Sequence, residues 1–235
     1  MAAPPILPVV LALPRADDED VPALLPLGGP TLLRRLLGPL EQATGHGPLV
    51  VTSPGALREV SRELGGRARA LAADGGPRLR ILAQALEHLG PGPADQIVLV
   101  HEAERALTPP ATVRAVLDAL DGAETDAAVP GIDVTDSVKR RGEHGLRNVD
   151  RSALRTLQCP RALRRGLLEE ILAAQATDPT LPDDEIRAAL HLGAAVRVVH
   201  GSHQGAPVLD RLGLWQAQIA LGLARDTSPA PRRGA

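Results

Sequence analysis

Short apolar runs alternate with helical patterns along most of the chain, and this alternation constrains the fold more than any other feature. Apolar runs bounded by turn residues predict strands, and apolar residues recurring every three or four positions predict helices. The predicted strands are 9–13, 48–51, 68–72, 96–100, 127–129 and 195–199, and the predicted helices are 31–43, one opening at Ser53-Pro54, 78–88, 109–120, 163–174, 184–191 and 210–223. Strands this apolar predict an α/β fold, a mostly parallel sheet with helices on both faces.

The loops that follow the strands are the candidate binding site. Parallel sheets bind ligands beyond the carboxyl ends of their strands. The loops at this edge are 14–22, 74–77 and 101–108.

The alternation breaks after Pro130. Residues 131–152 are polar and turn-rich without a helical period, which predicts an extended arm or a functional loop. We predict one domain over residues 1–225, with this arm protruding from it, and a flexible tail over 226–235.

Composition excludes several classes of partner. The chain has no Phe or Tyr and one Trp, so it offers almost no platform for stacking bases, and Trp215 is most simply a core residue. Net charge is −2 with both signs interspersed, which gives no basic footprint for nucleic acid. We therefore expect a small-molecule or protein partner.

The single cysteine, Cys159, excludes an internal disulfide and a cysteine-based zinc site, and it favours a reducing cytoplasm. We expect it to be buried and inert. His200 and His203 lie three residues apart without neighbouring carboxylates, so we predict no metal site there. No apolar segment is long enough to span a membrane.

Four segments, in order, resemble the 2-C-methyl-D-erythritol 4-phosphate cytidylyltransferase family. Residues 100–105 (VHEAER) resemble the family's V-H-D-A-A-R, and 134–140 (VTDSVKR) its V-x-D-T-x-K-R. Residues 148–160 resemble T-V-D-R-x-x-L followed by x-Q-T-P. The strand at 9–12 and the turn at 26–33 match the segments on either side of the family's nucleotide loop.

The resemblance implies a Rossmann-like nucleotidyltransferase fold that joins CTP to a sugar-alcohol phosphate with Mg²⁺ and releases pyrophosphate. It also implies a homodimer in which each arm completes the neighbour's substrate site. The substrate-binding residues it implies are Glu102, Arg105, Ser137, Lys139 and Arg151.

Some of these assignments have structural alternatives. Glu102 replaces an aspartate and Ser137 a threonine, and Arg161 stands where the family has a glutamine. Arg151 could instead pair with Asp150 or Asp136 and order the arm. The acidic run 183–185 most simply caps a helix.

The nucleotide side departs from the family. The family's loop A-A-G-x-G-x-R ends in P-K, whereas residues 12–23 contain no glycine and Ala23 stands in place of the lysine. The family's second nucleotide motif, G-G-x-x-R-x-x-S-V, corresponds to residues 75–82, which read GGPRLRIL. Ile81 stands in place of the serine that holds cytosine. The second phosphate lysine aligns with Pro207. The remaining nucleotide-binding candidates are Ala12, Leu13, Arg15, Gly75, Gly76 and Arg78.

Four consecutive acidic residues, 17–20, lie where the triphosphate is expected. Two unit charges about 6 Å apart repel by about 0.7 kcal/mol even in bulk water. A magnesium shell could offset part of this repulsion, or the segment could simply be a solvated acidic loop. Two hypotheses follow: a working enzyme in which Arg15 or other arginines replace the lysines, or a non-catalytic paralogue that binds a phosphorylated ligand or a partner subunit. The missing residues favour lost or strongly weakened activity.

Overall fold

A computed structural model describes residues 5–15, 20–122, 124–143 and 145–223. Most of the acidic loop and the predicted tail 226–235 therefore lie outside the described residues. The strands are β1 (Ile6–Ala12), β2 (Leu49–Thr52), β3 (Arg69–Ala72), β4 (Ile97–Glu102), β5 (Ala127–Asp133), β6 (Val138–Gly142), β7 (Gly145–Val149), β8 (Arg155–Leu157), β9 (Arg161–Arg164) and β10 (Val196–His200). The helices are α1 (Leu32–Thr44), α2 (Leu57–Leu64), α3 (Arg78–Leu89), α4 (Pro110–Asp118), α5 (Arg165–Gln175), α6 (Glu185–His191) and α7 (Arg211–Ala220).

The main sheet has the order β10-β5-β9-β4-β1-β2-β3, and β8 adds to β5. Strands β4, β1, β2 and β3 run parallel to one another, as do β10 and β5. Strand β9 runs antiparallel between β4 and β5. The prediction of a mostly parallel sheet is confirmed.

Strand β1, in the middle of the sheet, sends alternate side chains to two separate cores. In β1, Val10 and Ala12 pack with α1, α2 and α4, whereas Val9 and Leu11 pack with α3, α5 and α6. Because strand side chains alternate between faces, a run apolar at every position is buried on both. The predicted helices on both faces are confirmed.

The arm has more regular structure than we expected. Strands β6 and β7 form an antiparallel hairpin, with Val138 opposite Val149, separate from the main sheet. Most of its described side chains are exposed. Neither face lies on a core, so the sequence shows no apolar alternation that would have indicated strands.

Three further expectations were wrong. Helix α2 begins at Leu57 rather than at the predicted Ser53-Pro54, and no side chain caps it. Residues 161–164 form β9, and the helix expected from position 163 begins at Arg165. Trp215 is 56% exposed and is not a core residue, because α7 turns Leu214 and Ala217 to the core instead.

Within the described residues, no helix is long and apolar enough to cross a membrane.

Candidate active site

The carboxyl end of β4 carries the first pair of candidate residues. Strand β4 ends at Glu102, and a 3-10 turn over Ala103–Arg105 brings Arg105 back beside it. The Nε of Arg105 donates to Glu102 Oε2 at 2.7 Å, and Nη1 donates to the carbonyl of Gly205 at 2.7 Å. The resemblance placed both side chains at the sugar phosphate, and the structure brings them together.

A second arginine joins this pair from the start of α3. Arg78 Nη1 donates to Glu102 Oε1 at 3.0 Å. Its Nε and Nη2 donate to Glu185 Oε2 and Oε1, at 2.6 and 2.8 Å. Arg78 was a candidate nucleotide ligand, and all three of its nitrogens donate to carboxylates of the chain itself.

Arg161 extends the network on the other side of Glu185. Its Nη1 lies 2.6 Å from Asp184 Oδ2 and 3.3 Å from Glu185 Oε1. The Arg78 network, as we call Arg78, Glu102, Arg105, Arg161, Asp184 and Glu185, thus holds three guanidinium groups and three carboxylates. Its formal charges cancel, so it brings no net positive charge to a bound phosphate.

Burial and pairing shift the proton affinities around this network. Burial by itself raises the pKa of Glu102, but Arg78 and the hydrogen bond from Arg105 outweigh it and lower the pKa to about 2. Burial lowers the pKa of His101 to about 4. Burial also raises the pKa of the Cys159 thiol to about 12, so Cys159 is buried and poorly nucleophilic, as expected.

The tautomer of His101 follows from its contacts. Nδ1 lies 2.9 Å from the backbone oxygen of Glu102, which can only accept, so Nδ1 carries the proton. Nε2 is buried and has no hydrogen-bond partner in the part of the chain that the structure describes. Protonating Nε2 would leave a buried donor unpaired, which agrees with the low pKa of this imidazole.

The glycine turn before α3 is retained, but its helix end is already bound. Gly75 and Gly76 have φ of +77° and +103°, values that favour glycine. The backbone N–H groups of Arg78 and Leu79 both donate to the Asp183 carboxylate, at 2.7 and 2.9 Å. A helix N-terminus attracts anions, and here the chain supplies the anion itself.

Asp184 caps α6, as predicted for the acidic run, through hydrogen bonds from the backbone N–H groups of Ile186 and Arg187. Its neighbours have other roles. Asp183 caps α3, and Glu185 is fully buried against the two arginines.

The nucleotide-loop side of the site is an open cleft of about 1030 Å³, and residues of three loops line it. Ala12 is buried at the end of β1, where its carbonyl accepts a hydrogen bond from Thr52 Oγ1 at 2.7 Å. Leu13 is half-buried, and Arg15 is exposed with Nη1 donating to the carbonyl of Leu209.

Two positions where the resemblance expects polar groups belong to the hydrophobic cores. Ala23, in place of the phosphate lysine, is 1% exposed and packs in the core against α1. Ile81, in place of the cytosine-binding serine, is 4% exposed in the other core. Neither side chain offers a polar group.

The arm candidates lie apart from the Arg78 network. Lys139 Nζ donates to Asn148 across the hairpin, and Arg151 Nη1 donates to the carbonyl of Thr135. Arg151 forms no ion pair with Asp150 or Asp136, but the hydrogen bond does tie the base of the arm together. Ser137 is exposed, and no hydrogen bond or ion pair links these three to Glu102 or Arg105.

Sequence reasoning missed Glu185 as a member of the site. A usable signal was present, because Glu185 shares the buried face of α6 with Ile186 and Ala189. A carboxylate on an apolar helix face needs a buried cation as partner. The partner could not be named from sequence, since Arg78 lies 107 positions earlier.

A metal would find no preformed ligand set in the part of the chain that is described. No group of three or more His, Cys, Asp or Glu side chains there could hold one. His200 and His203 lie near each other beside a second groove without forming such a group.

Comparison with known proteins gives one consistent match. The model of the 2-C-methyl-D-erythritol 4-phosphate cytidylyltransferase family matches residues 14–223. The enzyme of that name from Frankia casuarinae is 30% identical over 227 residues, which cover 94% of this chain and 83% of that protein. The one from Saccharopolyspora erythraea is 30% identical over 207 residues, covering 85% and 90%.

Solved structures agree. 4-diphosphocytidyl-2C-methyl-D-erythritol synthase from Anaerococcus prevotii superposes with a TM-score of 0.81 at 16% identity, covering 94% of this chain and all of that one. 2-C-methyl-D-erythritol 4-phosphate cytidylyltransferase from Thermus thermophilus gives 0.73 at 26% identity, covering 91% and 98%. The first of these likenesses concerns the fold alone.

Proposed function

This chain belongs to the 2-C-methyl-D-erythritol 4-phosphate cytidylyltransferase family, and from that premise we propose that its cytidylyltransferase activity is lost or strongly weakened. In the family's reaction an oxygen of methylerythritol phosphate attacks the α-phosphorus of CTP. A new phosphorus–oxygen bond forms, the α–β bond breaks, and pyrophosphate leaves. The protein contributes positioning and charge neutralisation rather than a covalent group.

The observation that carries this proposal is the burial of Ala23 and Ile81. The phosphate lysine and the cytosine serine expected there are replaced by side chains that pack into the two cores. Neither alanine nor isoleucine carries a polar atom, so no movement of these two side chains could restore the lost contacts with the nucleotide. The chemistry lost there must come from elsewhere in the chain.

Other groups offer little compensation. The only lysine in the chain, Lys139, lies on the arm. The arginines of the Arg78 network are matched by an equal number of carboxylates. Asp183 holds the N–H groups at the start of α3. A triphosphate would meet few free donors and several carboxylates.

One observation favours the alternative of a working enzyme. Arg15 and Arg211 both line the cleft beside the nucleotide loop, so two guanidinium groups could replace the two lysines there. Asp20, Glu59 and Asp210 line the same cleft and oppose that role.

Mg²⁺ enters only with the triphosphate. The described residues offer no set of ligands that fits a resident metal. If the chain does turn over CTP, the ion would neutralise phosphate charge.

In place of cytidylyl transfer, we propose that the chain binds a phosphorylated ligand or a partner subunit. We also propose that it forms a homodimer joined through the arm. Arg105 keeps the position that resembles a sugar-phosphate ligand, and its Nη2 makes no hydrogen bond to any of the described residues. A two-stranded ribbon is marginal alone, which favours docking of the exposed hairpin. The single buried thiol agrees with a cytoplasmic setting.

Calorimetric titration tests the proposal. We expect CTP with Mg²⁺ to bind the full chain more weakly than millimolar. Titration with methylerythritol phosphate, repeated with Arg105→Gln, asks whether the sugar-phosphate side still binds. Micromolar affinity for CTP would overturn the proposal.

A further inference from the structure

The turn that follows β10 supplies one of the two groups that hold Arg105. We call residues 201–205 the β10 turn. The carbonyl of Gly205, at the end of this turn, accepts a hydrogen bond from Arg105 Nη1 at 2.7 Å, and Glu102 accepts one from Nε. These two contacts fix the plane of the guanidinium group, and Nη2 is the nitrogen that no acceptor among the described residues takes. The position of the β10 turn therefore sets the direction in which Nη2 is offered to a ligand.

A buried glutamine holds the start of the β10 turn. Gln158 is 3% exposed and lies directly after β8, at the base of the arm. Its Oε1 accepts a hydrogen bond from the backbone N–H of Ser202 at 2.9 Å, and its Nε2 donates to the carbonyl of the same residue at 2.8 Å. The side-chain amide thus pairs with both backbone groups of Ser202, as the backbone of a neighbouring strand would.

The carbonyl of Ser202 also leads to Gly205. Within the 3-10 turn it accepts a second hydrogen bond, from the backbone N–H of Gly205 at 2.9 Å. One oxygen atom therefore connects Gln158 with the residue that holds Arg105. A further backbone hydrogen bond, from the N–H of Val208 at 2.9 Å, ties down the chain beyond the turn. Gln158 fixes the near end.

Glycine at position 201 lets the β10 turn approach Gln158 this closely. A Cβ atom at Gly201 would lie 2.3 Å from Gln158 Oε1 and 3.1 Å from the carbonyl carbon of Gly131. The N–H of Gly201 also donates to the carbonyl of Gly131 at 2.9 Å, so the turn is held against β5. Because the backbone of β5 lies inside the sheet, a side chain at position 201 would push the turn away from Gln158.

The paired contact explains why this residue is a glutamine. An amide carries a donor and an acceptor on one group, whereas an ionised carboxylate only accepts. The backbone of Ser202 requires both, since its N–H needs an acceptor and its carbonyl needs a donor. Gln158 lies in the segment that resembles the family's x-Q-T-P, and that resemblance gave it no role.

We propose that Gln158 is a positioning residue of the sugar-phosphate site around Glu102 and Arg105. By holding Ser202 it sets the place of Gly205, and Gly205 sets the guanidinium group of Arg105 for a phosphate. The inference rests on the proposed function for its ligand, which is a phosphorylated one. It does not depend on whether the chain binds CTP.

Gln158→Glu tests the proposal through pH. At about pH 8 the ionised carboxylate cannot donate to the carbonyl of Ser202, whereas a protonated carboxyl can, and burial favours protonation by about pH 5. We expect the full-length variant to bind methylerythritol phosphate about tenfold more weakly than wild type at the higher pH. The deficit should largely disappear at the lower pH. Wild type is titrated by calorimetry at each pH, so protonation of the phosphate and of His200 and His203 cancels in the ratio.

Two further variants assign the effect to the β10 turn. Gln96→Glu is the matched control, since Gln96 is also a buried glutamine but precedes β4 at the end remote from Glu102, and it should leave the affinity unchanged at both pH values. Gly201→Ala keeps Gln158 but displaces the turn, so it should weaken binding at both. Circular dichroism checks that each variant folds, because a folded protein's affinity is not altered by stability alone. If Gln158→Glu does not fold at the higher pH, Gly201→Ala decides.

A readout without ligand separates this proposal from the proposed function. In nitrogen NMR spectra, a guanidinium group held at Nε and Nη1 gives two separate Nη signals, and one that rotates freely gives an averaged signal. We expect separate Arg105 signals in wild type, an averaged signal in Gln158→Glu at about pH 8, and separate signals again at about pH 5. Arg105→Lys identifies the signals.

The outcomes are distinct. The expected NMR result without any binding of methylerythritol phosphate by wild type would contradict the proposed ligand and support the positioning role. An averaged Arg105 signal in wild type would overturn the positioning role. So would separate signals that persist in both Gln158→Glu and Gly201→Ala, or a loss of affinity in Gln96→Glu equal to that in Gln158→Glu.

Discussion

Glu185 holds Arg78 through both of its carboxylate oxygens, Oε2 to Nε at 2.6 Å and Oε1 to Nη2 at 2.8 Å, with the Glu185 side chain fully buried. The pair joins α6 to the start of α3. Through Arg78 it reaches Glu102 and then Arg105, so one buried carboxylate supports both candidate site residues at the end of β4.

Removing the charge of Glu185 should be costly. Breaking a buried ion pair by removing one partner typically costs about 3–5 kcal/mol, because the other charge stays buried. We expect Glu185→Gln to lower the free energy of unfolding in urea by about that amount. Asp133→Asn is the control, since its pair with Arg155 is largely exposed and is worth under about 1 kcal/mol. Equal effects of the two substitutions would contradict the account.

His101 should make stability depend on pH between about 4 and 6.5. Its pKa is about 4 when folded against an ordinary 6.5, so in this window the unfolded chain binds the proton and the folded chain does not. The stability contribution is complete above pH 6.5 and is lost as pH falls toward 4. It amounts to about 3 kcal/mol, at 1.36 kcal/mol per pKa unit.

Denaturant unfolding across this pH range checks the His101 prediction. The slope of unfolding free energy against pH should decrease in His101→Gln and persist in His88→Gln, whose histidine is exposed. Glu102, with its pKa near 2, contributes at lower pH, where stability is lost between about 4.5 and 2. An unchanged slope in His101→Gln would show that His101 is not the titrating group.

Restoring the missing lysine alone should destabilise the protein. Ala23 is 1% exposed, so Ala23→Lys forces a long cation into a packed core. Overpacking costs about 1–3 kcal/mol before the charge is counted. Ala111→Lys, at an exposed position of α4, is the control and should change thermal stability little. We expect measurable CTP binding only when a glycine-rich, Arg-containing loop replaces residues 14–20 together with Ala23→Lys and Pro207→Lys.

The arm should hold a dimer. Leu146 is 70% exposed on the hairpin, and a second copy that receives the arm would bury it. We expect light scattering to show that the wild-type chain associates at tens of micromolar and that Leu146→Glu associates less. Proteolysis should cut the hairpin faster in the variant. A monomeric wild type with a protease-sensitive arm would show that the hairpin has no partner.

The sequence predicted the strands of the main sheet best where they are buried on both faces. Strand β1 is an example, since nearly every residue in it is apolar. Strand β9 could not be found this way. It begins at Arg161, which donates to Asp184, and ends at Arg164, which donates to the backbone carbonyls of residues 120, 122 and 125. Charged residues at both ends hide the apolar pattern of a buried strand.

The site was predictable only in part. The motif that contains Glu102 and Arg105 placed both residues together, because they lie three positions apart in one turn. Their link to Glu185 depends on contacts across about a hundred positions, which no local pattern encodes. The prediction that Trp215 is a core residue was wrong for another reason, because a single apolar residue on a helix does not show which face of that helix meets the core.

The central claim, that cytidylyl transfer is lost or strongly weakened, is tested most directly by pyrophosphate release. The full wild-type chain is incubated with CTP, methylerythritol phosphate and Mg²⁺, with an active relative as the positive control. We predict release indistinguishable from the reaction without protein. Turnover of about 1 s⁻¹ or faster, an ordinary enzyme rate, that Arg15→Ala abolishes would contradict the claim and show that arginine has replaced the lost lysine.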